Sequence, residues 1–329
     1  MNSVVSLSDP SFLKPFLLHR LPKALFVYFV AGNCLAFLGN LHWSLELLTH
    51  FKIQLLLASL LFAFVFAATR AWRWAGAAVC VAALNLFAIA PWYVPTARAY
   101  PAGDEQRLRL MLSNVLYTNE RYDDLLKLVR AEQPDLLVLQ EVTEAWERAL
   151  QPLRQDYPHG AFEPRDQAAG MALLSRRPLT AVVAPINSFL SPSVLAEFEF
   201  AGQTVSLLTI HPLPPQGRLR SELRNREFDY AAEFLRTRPD PKILLGDLNV
   251  TMWSPNYARL IEQSGLVNVR QGFGVVPTWP AFSRLRLLQI PLDHCLVSPN
   301  VRVIDVRTGP HIGSDHLPLI VDLGISQNH

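Results

Sequence analysis

Residues 24–93 contain only four formally charged side chains, and this shortage of charge constrains the fold more than any other feature of the sequence. The four are Glu46, Lys52, Arg70 and Arg73. After Tyr100, charged residues occur at the density of an ordinary soluble domain. Because a surface in water needs polar and charged groups, we expect the first part of the chain to lie in an apolar environment and the second part in water.

Three apolar segments divide the charge-poor stretch: residues 24–41, 53–69 and 75–94. Each is close to the ~20 residues with which an α-helix crosses ~30 Å of hydrocarbon. Asn33 and Asn40 interrupt the first segment, although polar groups in a membrane helix can face neighbouring helices. A cleaved signal peptide fits poorly, because three segments follow one another. We predict a membrane anchor of about three transmembrane helices over residues 1–97 and a soluble domain over residues 98–329.

The distribution of basic residues predicts the orientation of this anchor. Basic side chains precede the first segment and separate the second from the third, whereas a single one separates the first from the second: Lys14, Arg20 and Lys23; Arg70 and Arg73; and Lys52. Short cytoplasmic loops are enriched in Lys and Arg. The pattern therefore predicts a multi-pass protein of the inner (plasma) membrane with a cytoplasmic N-terminus. An odd number of spans then places the soluble domain on the extracytoplasmic side, which is the periplasm in a Gram-negative bacterium.

Cysteine content and net charge exclude some classes of soluble domain. Cys34 and Cys80 lie in apolar segments and Cys295 is alone in the soluble part, so this part has neither a disulfide framework nor a cysteine-based zinc cluster. Residues 1–97 carry six Lys or Arg and two Asp or Glu, a net +4; the whole chain is +2, so the remainder is −2. A domain that clamps long nucleic acid usually has a basic excess, and this one does not.

The soluble part alternates between strand and helix patterns. The segments "RLRLMLSNVLY", "PDLLVLQEV", "GMALLSRRPL" and "KILLGDLNV" have the spacing of buried strands, and "VLAEFEFAGQTVSLLTIHPL" has that of a hairpin turning at Ala201-Gly202. A helix is predicted over "SPNYARLIEQSG", with Ser254 as its N-cap and Gly265 as its end. Mixed strands with hairpins favour an α/β sandwich of two β-sheets between helices over a purely parallel sheet.

Polar residues gather at the C-terminal ends of these strands. Asn114, Glu141 and His211 each follow an apolar run, and Asp247 and Asn249 lie in "GDLN". Taken singly, Glu141 is explained by helix capping and Asn114 by a turn. The two Asp-His pairs, Asp293-His294 and Asp315-His316, are likewise explained singly as turn residues at strand ends. Together these groups match what phosphodiester hydrolysis needs: a divalent cation, an activated water, and donors to the phosphoryl oxygens.

Seven motifs in order resemble the endonuclease/exonuclease/phosphatase superfamily, which has the deoxyribonuclease I-like fold. They are Asn114, Gln140-Glu141, "GMALLSR", His211, "LLGDLN", "LDHCLVS" and "GSDHLPL", and the resemblance covers residues 107–323. "VPTWPAF" and "MWSPNYARLIEQSGL" further resemble a bacterial branch with N-terminal membrane spans. The resemblance implies a four-layer α/β sandwich, two β-sheets flanked by helices, and a catalytic domain over residues 98–329.

The resemblance also implies roles for individual residues. Glu141 is expected to hold Mg²⁺ or Mn²⁺, with Asn114 as ligand or orienting group and Asp315 completing the metal site. His316 is expected to be the general base or the electrostatic partner of the phosphate, and Asp293 to accept its other ring N–H. Asp247 is expected to orient the nucleophile or to touch a metal. Asn249 is expected to donate to a phosphoryl oxygen, and His211 to stabilise the transition state as a donor. His294 is expected on the opposite face of its strand from Asp293.

Two arginines are predicted to bind substrate phosphate. Arg176 ends the "GMALLSR" motif, and Arg218 begins the basic run "GRLRSELRNREF", which also contains Arg220, Arg224 and Arg226. The alternative for the basic run is a solvated helix face whose charges are balanced by Glu222 and Glu227.

The sequence thus predicts a membrane-anchored, divalent-metal-dependent phosphoesterase that hydrolyses a phosphodiester by in-line attack of water. Its expected partners are membrane lipid and a substrate that is either a lipid head group or a nucleic acid, and the sequence indicates no protein partner. The alternative is a catalytically inactive sandwich that serves as a membrane-tethered binding module. A transporter or channel is disfavoured, because three spans carry so few ionisable groups.

Overall fold

The computed structural model describes residues 20–95, 105–183, 191–282 and 285–327. Lys14, which entered the predicted orientation, lies outside these residues. The chain divides into two compact units, Met1–Pro91 and Trp92–His329. Whether they are the two functional domains that we place at residues 1–97 and 98–329 stays a prediction.

The first unit is helical. Its helices are α1 (Leu21–Ala36), α2 (Trp43–Leu47), α3 (Lys52–Ala68) and α4 (Trp72–Ile89), and 3₁₀ turns at Leu48–Phe51 and Ala90–Tyr93 extend α2 into α3 and lengthen α4. Aromatic side chains hold the helices together: the ring of Phe26 on α1 lies 5.4 Å from that of Phe66 on α3 and 6.2 Å from that of Trp74 on α4. The side-chain amide of Asn85 donates to that of Asn33 at 3.1 Å, so each buried polar group satisfies the other.

Two helices of the described chain, not the predicted three, are long and apolar enough to cross a membrane. They are Trp43–Ala68 and Trp72–Tyr93, with 26 and 22 residues. Only 11% and 28% of their most apolar stretches are buried within the protein, whereas the core helix of a soluble protein is mostly buried. The predicted first span is shorter, because the chain turns after Ala36. Its 16 residues make a helix about 24 Å long, less than the ~30 Å of hydrocarbon.

The second unit contains two mixed sheets of six strands, which confirms the predicted sandwich. In spatial order, the first sheet comprises β11 (Arg302–Thr308), β12 (Leu319–Ser326), β1 (Glu105–Asn114), β2 (Leu136–Gln140), β4 (Met171–Ser175) and β3 (His159–Glu163). The second comprises β5 (Thr180–Val183), β6 (Val194–Phe200), β7 (Gln203–Thr209), β8 (Lys242–Asp247), β10 (Asp293–Val297) and β9 (Val267–Asn268). The pairs β1/β2 and β7/β8 are parallel, and the other neighbours are antiparallel.

Alternation along the strands fills both faces of the first sheet. Leu108, Leu110 and Leu112 of β1 point into the core between the sheets, whereas Met111 packs on the other face beneath α5 (Tyr122–Glu132) and α6 (Glu144–Ala149). Two longer helices, α7 (Arg218–Arg236) and α8 (Pro255–Ser264), accompany the second sheet. Helix α8 begins and ends as predicted: Ser254 Oγ accepts from the backbone at the N-terminus, and Gly265 closes the helix with a φ of +69°.

The parallel pairs bring the ends of four strands to the edge where the sheets meet. Gln140 at the end of β2 joins the sheets there: its Nε2 donates to Ile210 O at 2.8 Å, and its Oε1 accepts from Asp247 N at 2.8 Å. Ile210 O lies so close to the backbone of Gly246 that a Cβ at that position would be only 2.0 Å away, so a glycine is needed there. The residues that follow the ends of β2, β7 and β8 therefore lie close together.

Replacing Gln140 with Leu keeps the side-chain size and removes both bonds between the sheets. Because Ile210 O and Asp247 N are then left buried without these partners, we expect a loss of at least about 2 kcal/mol of stability, or a fall of roughly 4–8 °C in the thermal midpoint of the second unit. Near-ultraviolet circular dichroism of the full chain in detergent measures this midpoint. The control is Gln151→Leu, which removes a single long bond of an exposed glutamine. Equal midpoints for the two variants would contradict the bridging role.

Candidate active site

Asn114 and Glu141 meet at the ends of the parallel strands β1 and β2. Asn114 Nδ2 donates to Glu141 Oε1 at 2.9 Å, and Tyr117 N donates to Glu141 Oε2 at 3.3 Å. Glu141 has a φ of +63°, a left-handed conformation that costs a non-glycine residue energy and is concentrated at functional sites. The strained residue is therefore one of those that the sequence predicts to be functional.

Asp247 is the centre of the polar cluster. Its Oδ2 lies 3.4 Å from Asn114 Nδ2, 3.6 Å from His211 Nε2 and 3.5 Å from His316 Nε2, and its Oδ1 accepts from Asn249 N at 2.9 Å. Burial alone raises the pKa of the Asp247 carboxyl, but the two histidines and the Asn249 N–H together lower it below its ordinary value. Asp247 is therefore a buried carboxylate rather than a neutral acid.

The two Asp-His motifs each contribute one residue to a single pair: Asp293 comes from the first motif and His316 from the second. Asp293 begins β10 directly opposite Asp247, and its Oδ2 lies 2.7 Å from His316 Nδ1, which precedes β12. Burial lowers the pKa of His316, but Asp293 and Asp247 raise it above its ordinary value. The second ring nitrogen, Nε2, faces Asp247, so the Asp293 contact fixes how the imidazole is presented.

His294 lies on the other face of β10, as its position next to Asp293 predicts. Its Nε2 lies 2.8 Å from Val250 O, and its ring packs 4.9 Å from the ring of Tyr257 on α8. Burial and the positive charge of Arg270 lower the pKa of His294 to about 3, so the ring is neutral. His294 belongs to the layer between β10 and α8 rather than to the polar cluster.

His211 and Asn249 complete the cluster on the side of the second sheet. Burial lowers the pKa of His211, but the Asp247 and Glu141 carboxylates raise it above its ordinary value. His211 Nδ1 is buried without a hydrogen-bond partner in the described part of the chain. Asn249 has a φ of +51° and donates through Nδ2 to Pro212 O at 3.0 Å. Each of these two groups retains a polar atom or hydrogen for a further partner.

Two of the three predicted metal ligands are in direct contact. Asn114 and Glu141 are in contact, but Asp315 Oδ2 accepts from Trp279 Nε1 at 3.1 Å. Among the described residues, a different set of His, Cys, Asp and Glu offers three ligand atoms within 4.8 Å of one another: Asp247, Asp293 and His316. This set shares no residue with the ligands Asn114, Glu141 and Asp315, whose metal-binding role stays a prediction, but it includes Asp247, which was expected to orient the nucleophile or touch a metal.

The chemistry of the site fits a hard divalent cation. Asp293 Oδ1 and Asp315 Oδ1 are both buried and have no hydrogen-bond partner within the described residues. Buried carboxylate oxygens are normally paired or bound to a metal, and carboxylate and amide oxygens are the ligands that Mg²⁺ and Mn²⁺ prefer. A buried group of two aspartates and a histidine is thus able to hold a metal ion.

The two predicted substrate arginines lie outside the cluster. Arg176 follows β4, which runs antiparallel to β2, so it is next to the start of β2 and not the end that carries Glu141. Its backbone N donates to Asp135 O and its guanidinium packs on Tyr157, and a role for Arg176 in substrate binding stays a prediction. Arg218 is 81% exposed and pairs with Glu222 at 2.7 Å, which is the predicted alternative of a solvated helix face.

Four residues that sequence reasoning did not assign hold the cluster in place. Ser314 Oγ donates to Asn114 O at 2.6 Å and accepts from His316 N at 3.1 Å. Thr278 Oγ1 accepts from Asp293 N, and Trp279 holds Asp315. Arg270, fully buried, donates to Asp293 O at 2.6 Å. Ser314 and Trp279 lie in motifs that the sequence had singled out, whereas Arg270 has no local signal.

Comparison with known proteins places this geometry in a family. The family model described as "Endonuclease/Exonuclease/phosphatase family" matches residues 111–316, and no curated protein sequence matches the chain. Similar solved structures include D. rerio TDP2 complexed with single strand DNA product, with 18% identity, a TM-score of 0.55, and coverage of 66% of this chain and 99% of that one.

Two further structures extend the comparison. The human Nocturnin catalytic domain with bound sulfate anion has 20% identity, a TM-score of 0.54, and coverage of 69% and 99%. An endonuclease/exonuclease/phosphatase family protein from Bacteroides thetaiotaomicron has 17% identity, a TM-score of 0.55, and coverage of 68% and 100%. At such identities the structures show a shared fold, and the family model, which spans the strands carrying the cluster from Asn114 to His316, shows the membership. The chain belongs to the endonuclease/exonuclease/phosphatase family.

Proposed function

We propose that the protein is a membrane-attached, divalent-metal-dependent phosphoesterase that hydrolyses a phosphodiester by in-line attack of water. The observation that carries this proposal is the buried cluster at the edge where the two sheets meet. It combines carboxylates, amides and imidazoles within hydrogen-bond reach of one another: Asn114, Glu141, His211, Asp247, Asp293 and His316. Such a combination suits the transfer of a phosphoryl group to water.

His316 and Asp293 handle the proton that the attacking water loses. With Nδ1 held by Asp293 at 2.7 Å, His316 presents Nε2 to the reacting groups. In its neutral form Nε2 accepts a proton from water, and in its charged form it stabilises the phosphate. Asp247, 3.5 Å from Nε2, orients the attacking water or the imidazole.

His211 and Asn249 act on the phosphoryl oxygens. Both flank Asp247 on the second sheet and both have donor capacity left after their contacts within the protein. Donors aimed at the phosphoryl oxygens stabilise the charge that accumulates there in the transition state.

Glu141 is proposed as the main ligand of Mg²⁺ or Mn²⁺, with Asn114 beside it and Asp315 or the group Asp247, Asp293 and His316 supplying the remaining ligands. When bound, such an ion neutralises phosphate charge and favours deprotonation of water. Asn114 holds the Glu141 carboxylate in place through its 2.9 Å hydrogen bond, so the ligand is positioned before any ion arrives.

The two long apolar helices support membrane attachment and an extracytoplasmic catalytic unit. Arg70 and Arg73 stand at the turn between α3 and α4, and basic residues in short loops favour the cytoplasm. If that turn is cytoplasmic, α4 carries the second unit to the other side. The side on which the N-terminus lies then depends only on whether α1 also crosses.

Replacing Glu141 with Gln keeps the shape of the side chain and removes its charge. We expect turnover of bis-p-nitrophenyl phosphate to fall by at least ~10²-fold and the Mg²⁺ concentration needed for half-maximal activity to rise, with the fold retained. Glu144→Gln, on the exposed face of α6, is the matched control. Unchanged turnover of the Glu141 variant at saturating Mg²⁺ would show that the metal assignment is wrong.

Replacing Asp293 with Asn should leave the His316 ring in place but favour the wrong tautomer. We expect kcat to fall far more than KM rises, and His316→Ala to be about as damaging. The double variant should be little worse than either single variant, because groups that act as one unit are strongly non-additive.

Two other histidines serve as controls for this comparison of the single and double variants. His311→Ala, at an exposed position, should retain full activity. His294→Gln should lower the thermal midpoint, because His294 is buried, while the folded enzyme keeps most of its turnover. Losses at Asp293 and His316 that multiply independently would disprove the pairing.

Reporter fusions test the topology. An enzyme that is active only in an oxidising compartment should be active when fused after His329 and inactive when fused after Arg70. Activity after Arg70 and none after His329 would place the second unit in the cytoplasm. Immunoblots of both fusions show that they are made in equal amounts.

A further inference from the structure

Residue 282 and residues 285–288 carry exposed apolar side chains and flank the residues that contact Asp315; together they are here called the apolar lip. Phe282 is 73% exposed, Leu285 63%, Leu287 55% and Leu288 53%. Four large apolar side chains exposed within seven positions of the sequence form a concentrated patch, and such patches mark surfaces that contact a partner or a membrane.

The base of the lip is tied to the cluster of the active site. Trp279 and Ile290 exchange backbone hydrogen bonds, and Gln289 Nε2 donates to Pro280 O at 3.2 Å. Ala281 N donates to Asp315 O at 2.7 Å, and Trp279 Nε1 donates to the Asp315 carboxylate. The lip therefore rises from the residues that border Asp315, so whatever covers the lip lies at the rim of the site.

The charges around the lip favour an anionic apolar surface. Residues 269–292 contain no Asp or Glu, and of their arginines Arg270 is fully buried. Arg286 is exposed within the lip itself. Leucine and phenylalanine interleaved with arginine are typical of segments that lie in the interface of a bilayer with anionic lipids. A surface for single-stranded nucleic acid would instead need stacking aromatics along a basic groove, and the lip is mostly leucine.

The same stretch of chain holds the first residues of the second unit. Gly272 N and Gly274 N donate to Trp92 O at 2.9 and 2.8 Å, and Gln271 Nε2 donates to Val94 O at 3.3 Å. Trp92 and Tyr93 also end the second of the two helices of membrane-crossing length. Residues 271–274 thus hold Trp92 and Val94 of the second unit, a few positions before the lip in the sequence.

We propose that the apolar lip inserts into the interface of the lipid bilayer and that the neighbouring site takes a phosphodiester carried by a lipid in that surface. The inference rests on the proposed phosphoesterase function and narrows its substrate to a membrane lipid. Insertion of the lip delivers the lipid phosphate to the rim of the cluster, so that the acyl chains never leave the bilayer.

Lipid contact is tested with the full chain, in which Cys34 and Cys80 are replaced with Ala and Cys295 stays buried. A fluorescent nitrobenzoxadiazole label is attached at Phe282→Cys, and the protein is reconstituted into phosphatidylcholine and phosphatidylglycerol vesicles that contain a doxyl-labelled lipid. We expect a blue-shifted emission that the doxyl lipid quenches. The control is Val182→Cys, exposed on β5 at the far edge of the second sheet from β10 and β9. Equal quenching at both positions, or none at Phe282, would overturn the proposal.

Substrate class is tested with the fourfold serine variant Phe282→Ser, Leu285→Ser, Leu287→Ser and Leu288→Ser. Its turnover of soluble bis-p-nitrophenyl phosphate should equal that of the wild type within about twofold, since the lip is not part of the catalytic cluster. Release of phosphate-containing head groups from the same vesicles should fall at least about tenfold, because four apolar side chains no longer enter the bilayer.

The outcomes separate the lip from the proposed function. One outcome is cleavage of the soluble diester without head-group release, or with head-group release that the serine variant retains. This outcome contradicts the proposed role of the lip but agrees with the proposed phosphoesterase function. Cleavage of single-stranded DNA instead of lipid, equal in wild type and variant, also contradicts the proposed role of the lip. Failure to cleave the soluble diester, with Phe282 still quenched, overturns the proposed function while the lipid contact stands.

Discussion

The second unit is organised around the buried carboxylate of Asp247, a charge that would destabilise the fold without partners. An ionised carboxylate removed from water needs partners on every side, since an unpaired buried charge destabilises a fold by several kcal/mol. The partners of the carboxylate come from both sheets: Asn114 from the first, and His211 and Asn249 from the second. Gln140 of the first sheet accepts from the backbone N–H of Asp247. The parallel pairs β1/β2 and β7/β8 deliver these residues because parallel strands end at the same edge. The cluster therefore forms only when the two sheets pack together.

Local sequence patterns were sufficient for much of this arrangement. Alternating leucines predicted strand β1, and continuous apolar runs predicted β2 and β8. The polar residues that follow these strands gather at one edge, as the parallel pairing requires. The pairing of Asp293 with His316 is different in kind. It depends on the antiparallel register of β10 with β8 and on the loop before β12, which periodicity does not specify. That pairing was anticipated through family resemblance.

Three features of the structure are not visible in a local window of sequence. Strand β4 runs antiparallel to β2, so Arg176 lies next to the start of β2 rather than the end that carries Glu141. Trp279, 36 residues earlier in the chain, donates to Asp315. The first apolar segment was predicted to span a membrane, but its helix ends at Ala36 before a turn.

A buried polar site and an apolar surface beside it make sense together when the enzyme works at a membrane. The cluster residues Asn114, His211, Asp247, Asp293 and His316 are nearly inaccessible to solvent. Residues 98–329 carry a net charge of −2 and supply little long-range attraction for a phosphodiester in solution. Attachment to a membrane replaces that attraction with a high effective concentration of lipid. In the proposed arrangement the lip does not need to bind tightly, because helices that cross the membrane would confine the site to the surface that carries a lipid substrate.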